Sequence, residues 1–147
     1  MMSPRYLLRL ALLWALVSLR TSVAASACPG PADIQPGMLI GRWQIEWLDD
    51  SHPRGTAPWL LELGPHPEYP DSLKGRLHHD QARPLVVADW DDETLTLEES
   101  LDGKHIAASW QATATEVGCG REFLGLRFTG TEPDASAKRF RMRALTP

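Results

Sequence analysis

The chain has 147 residues, of which 43% are hydrophobic and 23% are charged, with a formal net charge of −4 at pH 7. Acidic residues outnumber basic ones, which argues against general nucleic-acid binding, because basic charge supplies most of that affinity. No segment has the run of about 20 apolar residues that a transmembrane helix needs. The length allows one domain with a usable hydrophobic core.

The first 27 residues have the order of charged, apolar and small residues that is typical of a secretory signal peptide. Arg5 and Arg9 precede an apolar run at 10–19, and small residues at 23–27 offer a cleavage site. The run is too short to span a bilayer. We therefore predict that residues 1–27 are removed and that the mature protein is periplasmic or secreted. It would keep 12 basic and 19 acidic residues, a net charge of −7.

The two cysteines of the chain, Cys28 and Cys119, allow two interpretations that exclude each other. An even cysteine count in an exported protein favours a disulfide between them. Cleavage after Ala27 would instead make Cys28 the first mature residue, where acylation would anchor the protein as a lipoprotein. An acylated cysteine has no free thiol, so only one of the two can hold.

After the signal, the sequence predicts a short irregular segment and then a single β domain. Residues 28–38 contain three prolines and two glycines, which favour irregular structure. In 39–147, apolar residues recur at every second position between turn residues, as in half-buried strands. The predicted strands cover 41–48, 59–63, 73–78, 85–90, 94–99, 105–112, 122–128 and 139–145. Turns are expected at 91–93 and at Asp102-Gly103.

Seven of the eight predicted strands have an alternating apolar face that we expect to point into the core. The expected core residues are Trp43, Ile45, Trp47, Trp59, Leu61, Leu63, Leu73, Gly75, Leu77, Leu95, Leu97, Ile106, Ala108, Trp110, Leu124, Leu126, Phe128, Phe140 and Met142. Eight short, evenly spaced strands predict an all-β fold, an antiparallel up-and-down barrel, because closure removes exposed sheet edges. A β-sandwich is the alternative, since periodicity alone does not separate the two.

The sequence Gly-Arg-Trp at 41–43 and the arginine-rich last strand resemble the plan of the lipocalin-like barrels. That family carries Gly-x-Trp on its first strand, and a basic residue of the last strand packs over the tryptophan. The resemblance implies that Arg139, Arg141 or Arg143 lies near Trp43. Small exported bacterial inhibitors of metalloproteases share this layout, and their N-terminal segment enters the protease cleft. Their disulfide lies within the early strands, unlike the widely separated cysteines of this chain.

The sequence contains no convincing catalytic or metal-binding pattern. The His-His-Asp cluster at 78–80 lacks a zinc spacing, and neighbours on a strand point to opposite faces. The acidic run at 89–93 lacks the spacing of a calcium loop. No serine lies in a Gly-x-Ser-x-Gly turn, and Glu98 and Glu99 point to opposite faces of one strand. We predict no cofactor, no metal and no enzymatic activity; an uncharacterised enzyme is the third interpretation.

Exposed loops give the first functional hypothesis, which is recognition of a protein. Prolines stiffen 64–70, and a rigid loop loses little entropy on binding. The negative charge would steer the chain towards a basic-surfaced enzyme, for which it would act as an inhibitor or immunity-type partner. The predicted contacts are His66 and Tyr69 in loop 64–70, Asp91 and Asp92 in 89–93, and loop 49–58.

Tryptophans give the alternative hypothesis, which is a lipocalin-like carrier of a small apolar ligand. Trp43, Trp59 and Trp110 fall on predicted inward faces, and small residues such as Gly75 and Ala108 share those faces. Large rings beside small side chains can line a cavity. The same pattern also fits a barrel that is simply filled by its side chains.

Overall fold

The fold is a closed barrel of eight antiparallel strands, in which each strand pairs with the next and the last pairs with the first. A computed structural model describes residues 28–49, 56–130 and 132–145. The strands are β1 Gly41–Trp47, β2 Trp59–Pro65, β3 Ser72–His78, β4 Leu85–Asp91, β5 Thr94–Ser100, β6 Ala108–Ala114, β7 Glu122–Phe128 and β8 Lys138–Ala144. The predicted barrel is confirmed, whereas the predicted signal peptide at 1–27 lies outside the described residues.

The N-terminal segment covers one end of the barrel, which we call the cap end. It contains two short 3₁₀ helices, Pro31–Asp33 and Pro36–Leu39, and a third, Glu116–Gly118, precedes β7. Ile34 and Leu39 are buried in the core, and the Trp43 Nε1 donates a hydrogen bond of 2.9 Å to the Leu39 carbonyl. The segment is therefore irregular, as predicted, but it is also part of the core.

A disulfide between Cys28 and Cys119 fastens this segment to the turn before β7. The two Cα atoms are 4.9 Å apart. This pairing is the one that the even cysteine count predicts. A bonded Cys28 has no thiol for acylation, so the bridge leaves no place for the lipid anchor in this structure.

The opposite end of the barrel, which we call the far end, is the end at which β1, β3, β5 and β7 finish. One of the loops at this end differs from the prediction. β6 begins at Ala108, and the preceding Ile106 is 49% exposed rather than in the core. The Asp102 carboxylate accepts hydrogen bonds from His105 Nδ1 and from the backbone N–H groups of Lys104 and His105, and these bonds lower its pKa. The result is a seven-residue loop in place of a tight turn.

β7 presents the opposite face to the core from the one predicted. The expected inward residues were Leu124, Leu126 and Phe128, whereas Phe123, Gly125 and Arg127 lie opposite the inward residues of β6. Of the three expected residues, Phe128 is nevertheless buried, at 2% exposed. This arrangement requires glycine at position 125, because a Cβ there would overlap the Gln111 carbonyl oxygen of β6. Leu124 is consequently 39% exposed.

Candidate functional site

The predicted contact loops divide between the two ends of the barrel. Loops 64–70 and 89–93 follow β2 and β4, so both lie at the cap end. Loop 49–58 follows β1 and begins at the far end, and its residues 50–55 lie outside the described part of the chain. Two of the three predicted loops therefore lie at the same end of the barrel, and the third begins at the opposite end.

The proline-rich loop is held by hydrogen bonds around His66. The His66 Nδ1 accepts from the backbone N–H groups of Glu68, at 3.1 Å, and Tyr69, at 3.2 Å. The backbone of Ser72 accepts from the N–H of His66 and donates to the carbonyl of Tyr69. Tyr69 is 59% exposed, and its ring centroid lies 4.8 Å from that of His66. The loop thus presents an aromatic ring on a fixed backbone.

The acidic turn between β4 and β5 is a two-residue hairpin with an unusual backbone. Asp92 and Glu93 have φ values of 45° and 61°. Positive φ at both central positions is the geometry of a type I′ turn, which normally favours asparagine and glycine. Asp91 and Thr94 pair directly across it. The two acids are consequently held in a sharp, exposed and strained position.

Replacing Glu93 with glycine should raise the free energy of unfolding by about 0.5–1 kcal/mol. Relief of the left-handed conformation contributes about 1–2 kcal/mol, and the greater freedom of glycine in the unfolded chain offsets part of it. Urea denaturation measures the change. Glu98→Gly, on the regular strand that follows the turn, is the control and should lower stability. A lower stability for Glu93→Gly would contradict the strain.

The three tryptophans that were predicted to share a cavity do not lie together. Trp43 lies towards the cap end, with its ring centroid 5.5 Å from that of Phe123. Trp59 and Trp110 lie at the far end, with centroids 6.4 Å apart. Between them, the barrel centre has no room for a water molecule; it is lined by Ile45, Leu61, Leu77, Val86, Leu97, Trp110 and Met142.

A buried ion pair, which the sequence analysis missed, lies at the far end of the barrel. The side chain of Glu99 is 4% exposed, and that of Arg127 is 24% exposed. One oxygen of Glu99, Oε2, accepts from Arg127 Nε and Nη2, each at 3.0 Å, and from Trp110 Nε1 at 3.1 Å. The alternation of β5 could have identified Glu99 as an inward charge, because it shares its face with Leu95 and Leu97.

Aromatic rings surround this ion pair. The guanidinium carbon of Arg127 lies 5.7 Å from the centroid of Trp59 and 5.4 Å from that of Trp110, which is within the range of cation–π attraction. The ring of His79 stacks on Trp59 at 3.9 Å. Glu99, Arg127 and these rings together fill the far end, so we call them the plug.

The two histidines of the His-His-Asp sequence at 78–80 have different surroundings, and β3 ends at the first of them. The Nε2 atom of His78 lies 3.3 Å from a carboxylate oxygen of Glu62, whereas His79 stacks on Trp59 in the plug. Among the residues that the structure describes, no three His, Cys, Asp or Glu side chains are grouped so as to hold a metal ion.

The arginines of β8 lie on the outer surface. The family resemblance had implied instead that one of them would lie near Trp43. Trp43 is paired with Ala144, so the alternation of β8 turns the three arginines to the other face. Each has an acidic partner within 4 Å: Arg139 with Asp49, Arg141 with Glu46 and Glu122, and Arg143 with Glu122. The hydrogen bond from Arg143 is the main cause of the lowered pKa of Glu122.

Comparisons with known proteins do not assign the chain to a family. No family model matches it, and no curated protein is significantly similar to it. In the described part of the chain, no helix has the length and hydrophobicity required to cross a membrane.

Proposed function

We propose that the chain is an exported, non-enzymatic binding protein that recognises another protein, as an inhibitor or immunity-type partner of a secreted or periplasmic enzyme. The observation that carries this proposal is the filled interior. A lipocalin-like carrier holds its ligand inside the barrel and needs a cavity of about 300–1,000 Å³ there. Here side chains occupy the barrel centre, and the plug occupies its far end. Binding of a partner at the outer surface is therefore better supported than binding of a ligand inside the barrel.

The cap end has the features that protein recognition needs. Tyr69 is exposed on a loop whose backbone is already fixed, so little entropy is lost on binding. The carboxylates of Asp91 and Asp92 have no ion-pair partner among the described residues. Together with the net charge of the predicted mature chain, they favour a partner with a basic surface.

The disulfide supports export and limits how the protein can act. Disulfides persist in oxidising compartments such as the periplasm and the extracellular space. In the exported inhibitors that the sequence resembles, the N-terminal segment enters the protease cleft. Here Cys28 is bonded to Cys119, and Ile34 and Leu39 are buried. The N-terminal segment is therefore fixed against the barrel. The proposed contacts are therefore the loops of the cap end.

Site-specific photo-cross-linking in the envelope of the host would test this proposal. A photoreactive amino acid at position 69 should give a covalent adduct with one second polypeptide. The same amino acid in place of Leu101, which is 71% exposed at the far end, is the matched control and should give none. Adducts from neither position, or equally from both, would overturn the assignment of the cap end.

A further inference from the structure

A second feature of the cap end lies on the other side of the barrel from the acidic turn. It is a groove of about 370 Å³, at the seam where β8 meets β1. The groove is lined by Met38, Ile40, Arg42, Trp43, Gly120, Arg121, Ala144 and Leu145. The β4–β5 hairpin lies four strands away around the closed barrel, so the groove and the acidic turn form separate surfaces.

The groove presents exposed apolar side chains at the outside of the protein. Met38 is 43% exposed and Ile40 is 47% exposed, and the buried Trp43 lies beneath them. Methionine is flexible and polarisable, so it adapts to the shape of an apolar ligand. Exposed apolar side chains that line a concavity are a typical mark of a binding site.

Two arginines give the groove its charge. The backbone carbonyls of Arg42 and Arg121 accept hydrogen bonds from the N–H groups of Leu145, at 2.8 Å, and Ala144, at 2.9 Å, so the end of β8 holds both residues in place. Arg42 also lies 3.4 Å from the carboxylate of Glu62. Arg121 has no acidic partner within 4 Å among the described residues. Its positive charge is therefore not neutralised there.

We propose that this groove binds a small amphipathic carboxylate, with its alkyl chain against Met38 and Ile40 and its carboxylate on Arg121, the arginine of the groove whose charge is not neutralised. Guanidinium groups bind carboxylates through charge-assisted hydrogen bonds. The volume suits a ligand of about a dozen non-hydrogen atoms, since a water molecule takes about 30 Å³ in the liquid. A ten-carbon fatty acid has this size.

The lining side chains favour a fatty acid over a peptide. They offer guanidinium donors but no oxygen acceptor, and the Trp43 N–H is already bonded to the Leu39 carbonyl. The N–H groups of a peptide would lose their hydrogen bonds to water without gaining side-chain acceptors, which costs free energy. An alkyl chain has no such groups. The ligand is therefore an alkyl carboxylate, and this site is independent of the protein partner proposed above.

Methyl NMR on the disulfide-bonded mature protein would test the proposal directly. The mature chain has two methionines, Met38 in the groove and Met142 in the barrel core. Titration with decanoate, below the concentration at which it forms micelles, should shift the Met38 methyl signal saturably and leave Met142 unchanged. Decyltrimethylammonium, which has the same alkyl chain and the opposite charge, should bind at least about tenfold more weakly.

A variant pair separates the proposed contact from general charge effects. Arg121→Gln should weaken decanoate binding by about fivefold or more, because it removes a charge-assisted hydrogen bond. Lys104→Gln removes the same charge at the far end and should leave the binding unchanged. The proposal is overturned if Met38 does not respond to decanoate, if Met142 shifts equally, or if the two variants behave alike. None of these outcomes bears on the cross-link at position 69.

Discussion

Replacing Arg127 with methionine is expected to lower the free energy of unfolding by about 3 kcal/mol. The substitution leaves the Glu99 carboxylate, which is 4% exposed, with the Trp110 N–H as its one remaining donor of the three. Removing one partner of a buried ion pair typically costs about 3–5 kcal/mol. We expect the lower part of that range, because Arg127 is 24% exposed and water can reach the site. Denaturant unfolding, compared with the wild type, measures the loss.

Two further variants show whether the loss comes from the unpaired carboxylate. The double variant Glu99→Leu with Arg127→Met removes both charges and should recover most of the stability, as is common when apolar residues replace a buried ion pair. Arg139→Met breaks an exposed pair with Asp49 and should cost under about 1 kcal/mol. If Arg127→Met were no more costly than Arg139→Met, the plug would be solvated and the far end would not be closed.

The plug also shows where alternation is a sufficient guide to the fold and where it is not. Trp43, Ile45 and Trp47 have polar neighbours, so one face of β1 is clearly apolar, and the core side of that strand was predicted correctly. In β7, apolar residues lie on both faces, and the pattern does not decide between them. The inward face follows from the register of β7 on β6, in which Phe123, Gly125 and Arg127 lie opposite Ala114, Ala112 and Trp110, and this register is visible only when the two strands are paired.

The ion pair between Glu99 and Arg127 also depends on how the strands are paired in the barrel. Each charge lies on a face that its strand turns inward, yet the two strands are not neighbours, because β6 lies between them. Trp110 of β6 completes the group by donating to the same carboxylate oxygen. A one-dimensional pattern can therefore identify an inward charge such as Glu99, whereas its partner across the barrel requires the closed topology.

The topology of the predicted barrel already fixes the end at which each loop lies. In an up-and-down barrel, successive connections alternate between the two ends. The loops after β2 and β4 must therefore share the cap end, and loop 49–58, after β1, must begin at the far end. The exposure of Tyr69 and the positive φ of Glu93 do not follow from topology, because they depend on local hydrogen bonds and on the two-residue hairpin.

Removing the disulfide by the double substitution Cys28→Ser and Cys119→Ser should lower the free energy of unfolding by roughly 4 kcal/mol. The bridge spans a sequence separation of 91, and a closed loop of this length strongly restricts the unfolded chain. The native barrel should persist, since neither cysteine lies in a strand and none of the eight strand pairings involves the bridge. Unfolding in denaturant, followed by tryptophan fluorescence, measures the loss.

The reduced wild type provides the control for the loss of the sulfur atoms themselves. Its stability should match that of the double serine variant, because both lack the covalent link. Amide hydrogen exchange should then show that the N-terminal segment opens faster than the strands. Leu39 of this segment accepts the hydrogen bond from Trp43. A loss below about 1 kcal/mol would mean that burial of Ile34 and Leu39 alone holds the cap in place. The bridge would then have little role in presenting the loops of the cap end.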